Sequence, residues 1–229
     1  PIVFTSSAQT PAARDWGTIR FNSGAGGSLK HCEINAASYG IYTYGNNANP
    51  TIDNCAISNN SSYGLYAEYY SAPTISNSTI SNNSSYGIRI GDSAVPIVTD
   101  SIISNNSSHG IYGAGGGITM ATSTISNNSG YGVEIQEPRT ALAFTIANNA
   151  ITNNSGDGLY YYNSSIDYVS SPLPSITYNT ITGNSNDGIE LNGSHAVATI
   201  NYNNLYENSG SYDLYSSVTY QEVDARYNY

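Results

Sequence analysis

The chain has 229 residues, of which only 6 are basic and 16 acidic, for a formal net charge of −10. So few Lys and Arg cannot neutralise a phosphate backbone or an anionic bilayer surface, which argues against nucleic acid and membrane-surface partners. No run approaches the roughly 18 apolar residues of a spanning helix, and 39% hydrophobic residues with 22 Tyr are too many for a disordered chain. Residues 1–28 carry no basic and apolar leader and read as an opening coil or cap around Trp16, with Pro1 as a processed start. From residue 29 to 216 the chain repeats. Ile57-Ser-Asn-Asn-Ser-Ser-Tyr-Gly-Leu-Tyr66 returns from Ile80, Ile103 and Ile125, and more loosely from Ile34, Ile151, Ile181 and Leu205. Within the unit that ends at Ile90, period-two alternation predicts short strands at 74–76, 78–80 and 87–90. Units of 22 to 30 residues with three strands each predict a coil whose neighbours pair in parallel, about 4.8 Å apart along the axis. The longer units are predicted to bulge as loops around Pro138-Arg139 and residues 168–174, and residues 217–229 form an exit segment. All of this makes one domain.

The repeat Ile-x-x-Asn-x-x-x-Tyr-Gly-Ile-x resembles that of the parallel β-helix proteins of the pectate-lyase-like superfamily. Asp15-Trp-Gly-Thr-Ile-Arg-Phe21 and Val223-Asp-Ala-Arg-Tyr-Asn-Tyr229 are similar to the first and last segments of β-helix domains in large microbial surface proteins. The resemblance implies an all-β, right-handed parallel β-helix of about eight coils. It leaves function open, because that superfamily spans lyases, hydrolases, epimerases, tailspikes, adhesins and inert stalks.

Stacked coils place equivalent residues above one another. Asn60, Asn83, Asn106, Asn128, Asn154, Asn184 and Asn208 share one position, broken only by Ala37. An amide both donates and accepts, so this file predicts a structural ladder, and the Asn-x-Ser/Thr matches in it carry little weight as glycosylation sites. The Gly file (Gly40, Gly64, Gly87, Gly110, Gly132, Gly158, Gly188) is expected to supply a left-handed backbone angle. Cys32 and Cys55 share another position, pointing inward, either as a free thiol stack or as a disulfide. Metal binding by Cys32 with His31 is disfavoured, since successive strand residues face opposite ways.

Two outward files remain. One runs Tyr39, Tyr63, Tyr86, His109, Tyr131, Asp157, Asp187, and the other Tyr42, Tyr66, Arg89, Tyr112, Glu134, Tyr160, Glu190, Tyr215. The Tyr residues are candidates for stacking on sugar faces, with Arg89 and the acids bonding hydroxyls. The alternatives are a purely structural aromatic ladder or a packing face between rods. Asp157, Asp187, Glu134 and Glu190 are expected to be solvated turn acids. Carboxylates one coil apart also fit a glycosidase pair, and Asp157 with Asp187 a Ca²⁺ site; no other cofactor is expected. The patterns of the superfamily's enzymes are incomplete here. There is no Asp-Asp pair, His109 stands in Ser-His-Gly, and Arg89-Ile90 lacks a following Lys. His31 and His195 read as surface residues.

The reading is therefore a non-catalytic extracellular or cell-surface scaffold. Its Tyr-rich face would serve glycans, other copies of itself or neighbouring domains of a longer chain. A polysaccharide lyase, hydrolase or epimerase using those four acids is the alternative.

Overall fold

The structure is a computed structural model and describes residues 1–139, 144–168, 173–219 and 222–229. The predicted loop around Pro138-Arg139 is described as far as Arg139, and the one at 168–174 falls partly outside the described residues. The described chain is a parallel β-helix of three sheets with nine, nine and eight strands, each strand pairing with its equivalent one coil away. The first sheet runs from Ile2–Phe4 through Cys32–Asn35 to Asn204–Tyr206. The second runs from Ile19–Phe21 through Ile41–Tyr44 to Leu214–Ser216, and the third from Ser28–Lys30 to Thr199–Asn201. No α-helix occurs among the described residues, and none is long and apolar enough to cross a membrane.

Each sheet contributes one inward apolar column. Ile57, Ile80 and Ile103 are in direct register in the first sheet; Leu65, Ile88 and Ile111 in the second; Ile75, Val98 and Met120 in the third. All nine are fully buried. Successive side chains of similar shape fill the interior at the coil spacing, which leaves alternate residues facing outward.

The opening residues pair as strands as well as covering the end. Ile2–Phe4 lies against Cys32–Asn35 and Ile19–Phe21 against Ile41–Tyr44, while the Trp16 indole donates to the Asn35 carbonyl at 2.8 Å. The exit segment also keeps pairing, with the Ile200 N–H donating to the Asp224 carbonyl at 2.7 Å.

The Asn ladder forms as predicted. Asn106 Oδ1 accepts both the backbone N–H and the side-chain amide of Asn83, at 3.1 and 3.0 Å. Its own amide donates to Asn128 Oδ1 at 2.9 Å and to the Ile80 carbonyl at 3.4 Å. At the break the Ala37 N–H donates to Asn60 Oδ1, so the ladder begins at Asn60.

The Gly file has a different cause from the one expected. None of its seven members has positive φ; the left-handed angle is taken by Asn59, Asn82, Asn105, Asn127 and Asn153, a residue type that tolerates it. Gly is needed for room. A Cβ on Gly110 would lie 2.6 Å from Ile125 Cγ2 and 2.7 Å from the Gly132 carbonyl oxygen. Cys32 and Cys55 are both free thiols and buried, which decides between the two expectations for that pair.

Candidate functional site

Strand register brings the second outward file together on one face. Tyr42 pairs with Tyr66, Tyr66 with Arg89, Arg89 with Tyr112, Tyr112 with Glu134, Glu134 with Tyr160, and Tyr160 with Glu190. The turn file lies alongside. Its rings stack as Tyr39–Tyr63, Tyr63–Tyr86, Tyr86–His109 and His109–Tyr131, with centroids 5.2, 5.3, 5.2 and 5.0 Å apart and planes within 16°. The stack then crosses files, Tyr131 lying 5.3 Å from Tyr160. These rings spend their faces on one another. Any sugar contact here is made by hydrogen bonds and ring edges. Arg89 lies over the Tyr112 ring at 4.5 Å and donates to the Ile90 carbonyl at 2.7 Å.

The four acids are not solvated turn residues. Asp157, Glu134 and Asp187 are 0%, 5% and 8% exposed, and Glu190 is half-buried. Burial follows from use. Asp157 Oδ1 accepts the backbone N–H of Asp187 at 3.0 Å together with the Asn186 amide, and Asp187 Oδ1 accepts the Tyr212 N–H at 3.0 Å. Each carboxylate thus caps the turn one coil further on. His109 does the same upstream, its Nδ1 accepting the Tyr131 N–H at 2.8 Å. Asp157 and Asp187 thus each commit Oδ1 to the backbone of the following turn. Among the described residues no three His, Cys, Asp or Glu gather as a metal site.

The pairs that do form run between the files. His109 Nε2 lies 3.1 Å from Glu134 Oε2, and the Gln136 amide donates to the other oxygen of that carboxylate. Since Nδ1 accepts, Nε2 carries the proton and donates to Glu134. Burial holds His109 down to about 4 and pushes Glu134 above its ordinary range, so a neutral imidazole meets the acid. Asp157 faces Glu190. Its Oδ2 is buried without a hydrogen-bond donor, and burial, then the Glu190 charge, push its carboxyl up to about 7. The free oxygen of Asp157 and the Glu190 carboxylate can share one proton. Glu190 also accepts from the Asn192 amide at 2.9 Å. Burial pushes Tyr160, which lies between these pairs, up to about 12, so its hydroxyl stays protonated.

Beside the file, a groove of about 340 Å³ opens between Tyr66, Glu68, Arg89, Asp92, Glu137 and Arg139. Arg139 reaches Asp92 at 3.3 Å, the Tyr42 hydroxyl donates to Glu68 at 2.6 Å, and Ser164 donates to Glu137 at 2.8 Å. The described parts of both long loops therefore meet at Glu137. Sequence reasoning named Arg89 and Tyr66 as site residues and Arg139 only as part of a loop, and did not bring Glu68, Asp92, Glu137 and Arg139 to the site. The first two of these could have been found by extending the strand past the repeat motif. The last two depend on loop conformation, which the motif does not encode. The pairing of His109 with Glu134 was also missed, although their adjacent coils and adjoining files signalled it. His195 is half-buried beside the Ser194 hydroxyl at 2.9 Å, a more enclosed place than the surface expected of it.

The family described as right handed beta helix region matches residues 15–122 and 71–224. The chain belongs to that family. Among solved structures it is similar to the Azotobacter vinelandii mannuronan C-5 epimerase AlgE6 A-module, with a TM-score of 0.61 and 15% identity over 88% of this chain. It is also similar to the AlgE4 A-module of the same organism, with a TM-score of 0.50 and 15% identity over 88% of this chain. The chain spans 55% and 63% of those two structures. No curated protein matches in sequence. At such identities the likeness fixes the right-handed β-helix fold and nothing finer.

Proposed function

We propose that this right-handed β-helix is a non-catalytic extracellular or cell-surface domain that binds a neutral glycan along the Tyr42–Glu190 file and the adjoining groove. The observation that carries the reading is the groove lining: two guanidinium groups, three carboxylates and a Tyr alternate within one small concavity. Such a wall offers donors and acceptors to a polyhydroxyl chain in both directions, as sugar hydroxyls require. The net charge of −10 and the excess of acids around the groove oppose a polyuronate. The acids of the file are engaged by His109, Gln136, Asn186, Asn192 or backbone N–H groups, which suits positioning better than turnover. Asn/Ser/Thr-rich outer turns and scarce Lys agree with life outside the cell. The test is a glycan array followed by affinity electrophoresis in neutral and uronate polysaccharides. Arg89→Ala and Glu137→Gln should each weaken retention on a neutral glycan about tenfold, the scale of one charge-assisted hydrogen bond. Retention only on uronates, or none at all, sinks the proposal.

A second reading, a polysaccharide lyase, hydrolase or epimerase, draws on the Asp157–Glu190 pair. A carboxyl poised near neutrality beside a second acid fits general acid–base work, and the two epimerase modules share the fold. Asp157 is fully buried, so Glu190 would have to be the group meeting substrate. A screen for new reducing ends, unsaturated uronates and solvent deuterium at sugar C5 tests it; activity lost in Glu190→Gln would replace the binding proposal.

A further inference from the structure

The thiol pair at the opposite corner of the rod takes no part in that face. We propose that Cys32 and Cys55 form a two-thiolate site for a soft monovalent d¹⁰ cation, Cu(I) or its analogue Ag(I).

The register that pairs Glu33 with Ala56 puts Cys32 and Cys55 directly above one another in adjacent coils. Both side chains are buried, so the two thiols stack on neighbouring rungs inside the rod. Three backbone carbonyls ring them: the Cys32 thiol donates to Lys30 at 3.3 Å, and Cys55 Sγ lies 3.3 Å from the Asp53 oxygen and 3.4 Å from that of Leu29. Carbonyl dipoles aimed at two sulfurs disfavour bare thiolates, and a bound monovalent cation offsets half of the thiolate charge. Equivalent positions in adjacent coils are about 4.8 Å apart. Two metal–thiolate bonds of about 2.3 Å in line span about 4.6 Å, so a linear bridge fits the coil spacing without moving the backbone.

The donor set selects the ion. Zinc needs four ligands, and no third His, Cys, Asp or Glu joins the pair among the described residues. Soft sulfur donors and a coordination number of two suit Cu(I) and Ag(I). A disulfide suits the site less well, because parallel neighbours in register aim their Cβ atoms alike. Binding releases one proton from each thiol and forms two metal–sulfur bonds with no change of oxidation state. A shallow depression lined by Cys32, Cys55, His31, Glu33, Asn54 and Asn77 opens beside the pair on the outside of the rod.

Cys→Ser is a mild change here, because Ser78, Ser101 and Ser123 occupy the same rung in the next three coils, each accepting the N–H of the rung before. The reduced full chain would be titrated with Ag(I), and separately with Cu(I) against bicinchoninate, with native mass spectrometry as the readout. One ion per chain is expected, absent in Cys32→Ser/Cys55→Ser and at least tenfold weaker in Cys55→Ser, with circular dichroism and thermal midpoint unchanged. His31→Ala should bind as the parent does. The proposal falls if the parent keeps no ion against the competitor, if the double Ser variant keeps as much, or if the pair isolates as a disulfide. Should the double variant fail to fold, Cys55→Ser alone decides.

Discussion

The Asn corner and the aromatic–acid file climb the same rod, one coil at a time, but satisfy their polar groups differently. An amide carries donor and acceptor, so each Asn completes the next, and every middle rung repeats the bonds of Asn106. A carboxylate only accepts. Asp157 caps the next turn with Oδ1 and is left with a buried Oδ2 facing Glu190. An amide ladder can extend without limit, whereas an acid in a comparable stack creates a local excess of acceptors. Protons, ligands or cations are what such an excess recruits.

Removing a middle Asn breaks the self-satisfying side of the comparison and should have the largest effect. Asn106→Ala strands the Asn83 N–H in a buried corner, leaves the Asn83 amide only the Ile57 carbonyl at 3.5 Å, and removes a donor to Asn128. A cost of about 3 kcal/mol is expected from leaving these buried groups unpaired. In a chain of this size that lowers the thermal midpoint by about 6 to 12 °C. A midpoint within a degree or two of the parent would mean that water replaces the ladder readily.

Next in size is Gly110→Ala. The added methyl meets Ile125 and the Gly132 carbonyl at distances no real Cβ tolerates, so overpacking of about 1 to 3 kcal/mol is expected in urea unfolding. Were the cause a left-handed angle, Asn at this position would be nearly as good as Gly. Because the cause is space, Gly110→Asn should be worse than Gly110→Ala.

These two positions also show how far the sequence could be read. The period from Ile34 to Leu205 fixes coil length, and coil length fixes which residues stack, so the fold, the apolar columns and the Asn ladder were legible. The Gly file was placed correctly but given the wrong reason, since a repeat reports position and not torsion. The acids were placed in the right files yet expected in solvent. Asp157 and Asp187 are buried because each caps the following turn, a use of the side chain that spacing does not report. The contacts of Asp157 with Glu190 and His109 with Glu134 run between files, whereas repeat spacing describes only neighbours within a file. The groove at Arg139 lies where one coil departs from the repeat, and departures have no template.

The smallest effect is expected in the parent's pH profile, because two groups act there in opposite directions. Asp157 stands at about 7 against an ordinary 3.8, so the folded state binds its proton more tightly. Its contribution is complete below about 4 and is lost as pH rises towards 7; Glu134, also raised, acts the same way. His109 stands at about 4 against 6.5, so folding excludes its proton. That contribution is complete above about 6.5 and is lost as pH falls towards 4. Urea midpoints of the parent between pH 4 and 7 should therefore change little. Asp157→Asn removes the first contribution, and its amide can donate to Glu190, so stability should rise with pH across the window. His109→Gln removes the second, so stability should fall across it. Parallel profiles in all three proteins would mean that the acid side of the rod is as well satisfied as the Asn side, and the contrast between them would be lost.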